Sequence, residues 1–126
     1  MSDAIASRNQ LLLGSKLLLG ANGVLWIVFG VVWLEPTSGG SWAAPYQAAL
    51  LSALMFANAT ILITLAFRLR APSGWLPWMA FIWVGVNLLL SFTDEVGPAD
   101  LAVGALNAVT LFLLAAFRRA RGRTSP

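Results

Sequence analysis

The chain has 126 residues and a formal net charge of +3, with 59% of residues apolar, only 10% charged and a mean hydropathy of +0.79. That balance lies outside the range of soluble globular domains and marks a membrane protein, with room over residues 1–126 for one integral membrane domain of at most about five helices. Cysteine and histidine are absent, which excludes disulfides, thiolate or imidazole metal sites and Ser-His or Cys-His nucleophile pairs, so neither a metal nor a cofactor is expected.

Four apolar stretches follow one another, about Leu11–Leu34, Pro45–Phe67, Trp75–Phe92 and Pro98–Phe117. At 1.5 Å per residue each is long enough to cross a hydrocarbon core of about 30 Å, some with tilt. In the first, Ser15, Asn22, Trp26 and Trp33 share a helical face, and the indole N–H of Trp26, one turn from Asn22, needs a partner if buried. A cleaved leader competes for this segment, with Arg8 and Lys16 as its basic region. The run Leu17–Leu34 outlasts an h-region of about 7–15 residues, however, and no small-x-small cleavage site follows directly, so the helix is expected to stay.

The second helix begins at Ala44-Pro45, with proline at the first helical position. Ala49, Ala53, Ala57, Thr60 and Thr64 form a stripe of small residues suited to close backbone approach, while Asn58 points to roughly the other side. The helix can therefore touch protein on two faces. The neighbour on the small face is another helix of the same bundle, which four-helix packing favours, or a second chain.

On the third helix Ala80, Trp83, Asn87, Ser91 and Asp94 recur every three or four residues, and on the fourth Asp100, Gly104, Asn107 and Leu111 do the same. Gly97-Pro98-Ala99-Asp100 starts the fourth helix with proline at its first position and a carboxylate at the positive end of the dipole. Each of the four helices holds one asparagine, Asn22, Asn58, Asn87 and Asn107. In lipid an amide finds no water, so these side chains are expected to turn toward other helices. Asn58-Ala59-Thr60 through Phe67-Arg68 echoes Asn107-Ala108-Val109 through Phe117-Arg118, as two copies of one hairpin placed in parallel would.

The short linkers Glu35–Ala44, Arg68–Gly74 and Thr93–Gly97 predict an all-α, up-down antiparallel bundle of four transmembrane helices. Arg8, Lys16, Arg68, Arg70, Arg118, Arg119, Arg121 and Arg123 fall on one side of it, and Glu35, Asp94, Glu95 and Asp100 on the other. The basic side is cytoplasmic by the positive-inside rule, which puts both termini in the cytoplasm. Trp33 and Trp42 then lie near the outer interface and Trp75 and Trp78 near the inner one, where amphipathic rings are stable. The basic tail reads as an anchor in contact with anionic lipid rather than as a nucleic-acid site, since nothing aromatic or folded accompanies it.

The polar seams allow two uses. In the sharper one, Asn87, Ser91, Asp94, Asp100 and Asn107 line a cleft open to the outer face that takes a cation or a small polar head group, with Asn22 and Asn58 deeper in the bundle. In the plainer one, the asparagines join helices and the acids are a solvated rim. The stretch Asn87-Leu88-Leu89-Leu90-Ser91-Phe92-Thr93-Asp94-Glu95-Val96-Gly97, followed by Asp100-Leu101 and Asn107, resembles the last third of small four-helix bacterial integral membrane proteins without an assigned activity. The layout is also distantly similar to that of DoxX-like proteins, a family linked to membrane redox complexes. For a chain without cysteine or histidine, that resemblance implies an accessory role in a bacterial inner membrane. The expectation is a non-catalytic accessory or assembly subunit, in contact with lipid and with another membrane protein or itself through the second helix. A small carrier or channel using the outer cleft is the alternative, and an enzyme relying on Asp94, Glu95 and Asp100 is disfavoured because no nucleophile pairs with them.

Overall fold

The computed structural model describes residues 2–34, 44–70, 74–93 and 97–120. They form four helices, α1 (Ser2–Leu34), α2 (Ala44–Arg68), α3 (Leu76–Leu90) and α4 (Pro98–Arg119). Three of them, α1, α2 and α4, are long and apolar enough to cross a membrane. At 15 residues α3 is shorter, about 22 Å against about 50 Å for α1 with its 33 residues.

Local chemistry sets these bounds. Helix α1 begins nine residues before the expected Leu11 because Ser2–Gln10 holds no breaker and Asp3 lies in the first turn, at the positive end of the dipole. This extension is exposed throughout. Helix α3 is shorter than the expected Trp75–Phe92 because turns close on both ends. Gly74, at φ +115°, makes a left-handed turn that side chains rarely adopt. At the other end the Ser91 hydroxyl donates to the Asn87 carbonyl at 2.9 Å and the Thr93 hydroxyl to the Leu90 carbonyl at 2.9 Å, each joining its own backbone N–H on that carbonyl, so polar side chains reinforce the closing turn. Helix α4 starts from extended Gly97, whose N–H donates to Asp100 Oδ2 at 2.9 Å, with Pro98 next.

Helix α1 packs on α2 and on α4, and α3 packs on α4 and, least of all, on α2; among the described residues the Cα atoms of the diagonal pairs α1–α3 and α2–α4 stay more than 8 Å apart. The closest approach belongs to α1 and α2. Two glycines seven residues apart permit it: a methyl group on Gly23 would lie 2.6 Å from Ile63 Cγ1, and one on Gly30 would lie 2.9 Å from the Phe56 ring. Residues later in α1 thus meet residues earlier in α2. The same reversal holds between α1 and α4, where Gly14 faces Leu113 and Asn22 faces Asn107, and between α3 and α4, where Trp78 meets Arg118 and Phe92 meets Gly104.

The apolar core is built from Leu19, Leu62, Leu65, Ala66, Leu69, Ala80, Val84, Leu114 and Phe117. It therefore lies toward the ends of α2 and α4 that carry Arg68 and Arg118. Outside the ring, Leu17, Val24, Val28, Leu50, Leu54, Leu89 and Phe112 are all at least half exposed. Such an apolar exterior suits hydrocarbon as a solvent.

Candidate functional site

The four asparagines are the strongest chemical signal in the chain, and the structure resolves them into two pairs. Asn22 on α1 and Asn107 on α4 are fully buried, and Asn22 Nδ2 donates to Asn107 Oδ1. Asn58 on α2 and Asn87 on α3 exchange two hydrogen bonds, Asn58 Nδ2 to Asn87 Oδ1 at 3.0 Å and Asn87 Nδ2 to Asn58 Oδ1 at 3.1 Å. The Trp83 indole N–H adds a third at 2.7 Å to Asn58 Oδ1, using that oxygen's second lone pair. Exchanging α1 with α3 and α2 with α4 turns one pair into the other, as the sequence echo between the hairpins implies. Gly20-Ala21-Asn22 and Gly85-Val86-Asn87 extend that echo to α1 and α3.

The two pairs are satisfied unequally. Asn22 Oδ1 and Asn107 Nδ2 have no partner, and the Trp26 indole N–H, expected to need one, has none either. The buried hydroxyls of Ser15 and Ser52 are also unpaired. Thr110, fully buried on α4, donates instead to the Leu106 carbonyl at 2.7 Å.

The polar stripes face inward as expected. Ser15, Asn22, Ala80, Asn87, Gly104 and Asn107 are buried, and Trp26, Trp83, Ser91, Asp100 and Leu111 are partly buried; only Trp33 lies outside. Among the described residues, the side chains expected to line one outer cleft do not hydrogen-bond to one another. Asn87 is engaged with α2, Asn107 with α1, Ser91 with its own helix and Asp100 with the N–H of Gly97. Asp94, the remaining candidate, lies outside the described residues, as do Glu35, Trp42, Glu95, Arg121 and Arg123. Among the described residues no three of the His, Cys, Asp and Glu side chains come together in a way that could hold a metal ion.

One expectation is corrected by the burial pattern. Ala49, Ala53, Ala57, Thr60 and Thr64 are all exposed, so the small face of α2 does not pack within the ring; Ser52, Ala59, Leu62 and Ala66 do. The physical reason lies on α1. Its glycines already let the two backbones approach, so α2 can turn larger residues such as Phe56 and Ile63 toward that seam and leave Ala49, Ala53 and Ala57 outside. Gly23 and Gly30 were legible as a seven-residue spacing on one helical face, yet they carry no chemistry that singles them out.

At the opposite end from the amides, Arg118 Cζ lies 3.4 Å above the Trp78 ring centroid and 5.6 Å from that of Phe81. This contact ties α4 to the first turn of α3. No family model, curated protein or solved structure matches the chain.

Proposed function

We propose that this chain is a multi-pass protein of a bacterial inner membrane, an up-down antiparallel bundle with both termini in the cytoplasm, serving as a non-catalytic accessory or assembly subunit. The reversed order of contacts between neighbouring helices supports the topology. The placement of Arg68, Arg118 and Arg119 at helix ends away from Asp100 supports the orientation. The observation that carries the functional reading is a contrast of faces: the asparagines turn inward and join helices to each other, whereas the small residues of α2 turn outward.

A polar pair at membrane depth used on a second helix is packing chemistry. An outward stripe at four-residue spacing admits a transmembrane helix of another membrane protein at close range, where dispersion and backbone contacts act without help from the hydrophobic effect. The resemblance to DoxX-like proteins, which implies an accessory role, points the same way.

Gentle extraction of the tagged protein, followed by size determination and mass spectrometry, tests this reading. The expected outcome is recovery inside a larger assembly that Ala53→Leu or Ala57→Leu disperses while helix content is unchanged. Unchanged co-purification in both variants overturns the role given to α2. Recovery of the wild type alone overturns the accessory reading and moves the weight to a carrier, whose polar path would use the unpaired amide atoms of Asn22 and Asn107.

A further inference from the structure

We propose that the stacked Arg118–Trp78 pair, with Arg119 beside it, is a binding site for the phosphodiester headgroup of an acidic glycerophospholipid in the inner leaflet. The proposal rests on the membrane orientation given above. It starts from the geometry of the guanidinium. With Cζ 3.4 Å above the indole centroid, the flat group has room only to lie on the ring, so its N–H groups point outward in its own plane. Phe81, at 5.6 Å, flanks it from the same helix. Arginine held in this way loses little further freedom on meeting a phosphate, whose oxygens match its paired donors.

The surroundings select charge and depth. Helix α3 carries no charged residue, and Arg118 and Arg119 are the only charges on α4 besides Asp100 in its first turn, at the other end. Among the described residues the α3–α4 end itself thus carries only cations, Asp3 of α1 being the acid on this side, which favours a headgroup with net negative charge over a zwitterionic one. Arg118 is partly buried and Arg119 exposed, while Trp75 and Trp78 are 67% and 52% exposed. Exposed indoles at a helix end lie at headgroup level, where a lipid phosphate is found. The basic end therefore does more than orient the chain, because one of its arginines is fixed against α3 before any lipid arrives.

The test uses the full chain reconstituted with equal phosphatidylglycerol and phosphatidylcholine, released gently, with the retained lipid counted by native mass spectrometry. Wild type is expected to retain phosphatidylglycerol preferentially. Arg118→Gln is expected to lower that preference about five-fold, and Trp78→Ala to lower it with the charge intact. Trp78→Phe should keep part of it, since a benzene face still supports the guanidinium. Lys16→Gln, an equal loss of charge elsewhere on the basic side, should leave it unchanged. Equal losses in Arg118→Gln and Lys16→Gln would show diffuse attraction only and overturn the site. Displacement of the lipid by inorganic phosphate would also overturn it, in favour of a free anion. Failure of the protein to float with vesicles at all would instead overturn the membrane reading, so the two failures are distinguishable.

Discussion

The α1–α2 seam and the α2–α3 seam are held together by different physics. Between α1 and α2, Gly23 and Gly30 bring the backbones close enough for Ile63, Ala59 and Phe56 to fill the space left by missing side chains. Between α2 and α3 the helices barely approach, and a three-bond cluster of Asn58, Asn87 and Trp83 spans the gap. Shape holds the first seam and hydrogen bonding the second. Among neighbouring helices, the densest side-chain hydrogen bonding lies on the seam where the backbones approach least. The better-satisfied amide pair is the one on the loose seam, and the pair on the tighter α1–α4 contact keeps unpaired atoms.

The sharpest way to break this comparison is to fill the close seam. Gly23→Ala places a methyl against Cγ1 of Ile63, a β-branched side chain with little rotamer freedom, and 3.2 Å from the Ala59 carbonyl oxygen. It is expected to destabilise the protein by about 1–3 kcal/mol in a detergent unfolding titration. An unchanged midpoint would mean that the seam is not close-packed. Next in size, Asn58→Leu strands Asn87 and the Trp83 indole and is expected to cost about 1–2 kcal/mol, whereas Asn22→Leu, which removes one bond, should cost about 0.6 kcal/mol. The reverse ranking would show that burial, not the number of bonds, sets the strength of a pair. A modest effect of opposite sign is expected three residues from the largest. At Gly20 a methyl meets nothing within 4 Å, so Gly20→Ala should stabilise by about 0.5–1 kcal/mol through helix propensity alone, a rise in midpoint measured beside the fall for Gly23→Ala.

The inward faces of α1, α3 and α4 were legible in the sequence because an amide among apolar residues has few favourable directions, and Asn22, Asn87 and Asn107 are indeed buried. The identity of the pairs was not legible. It depends on the axial register of one helix against another, which is set by contacts such as Gly23 against Ile63 that composition does not encode. The small stripe of α2 illustrates the limit. Its spacing shows that Ala49, Ala53 and Ala57 share a face, but the same spacing serves a neighbour in the ring or one outside it, and the glycines of α1 decide between them. The engagements of Ser91 and Asp100 were not legible for a related reason: both find partners within three or four residues of themselves, a local alternative that helical periodicity leaves out of account.

The unequal heights of the helices also bear on where such a protein would reside. A bilayer of about 30 Å is matched by α2 and α4 but exceeds the roughly 22 Å of α3, a mismatch that local thinning of the lipid on that flank would relieve at a fraction of a kcal/mol per Å. Among the described residues the helices are then of unequal height, and the free energy of the bundle falls wherever the surrounding bilayer is already thin beside α3. Thickness alone would draw it toward such places and turn α3 toward the thinned edge, a lateral address written in helix length rather than in any recognition motif.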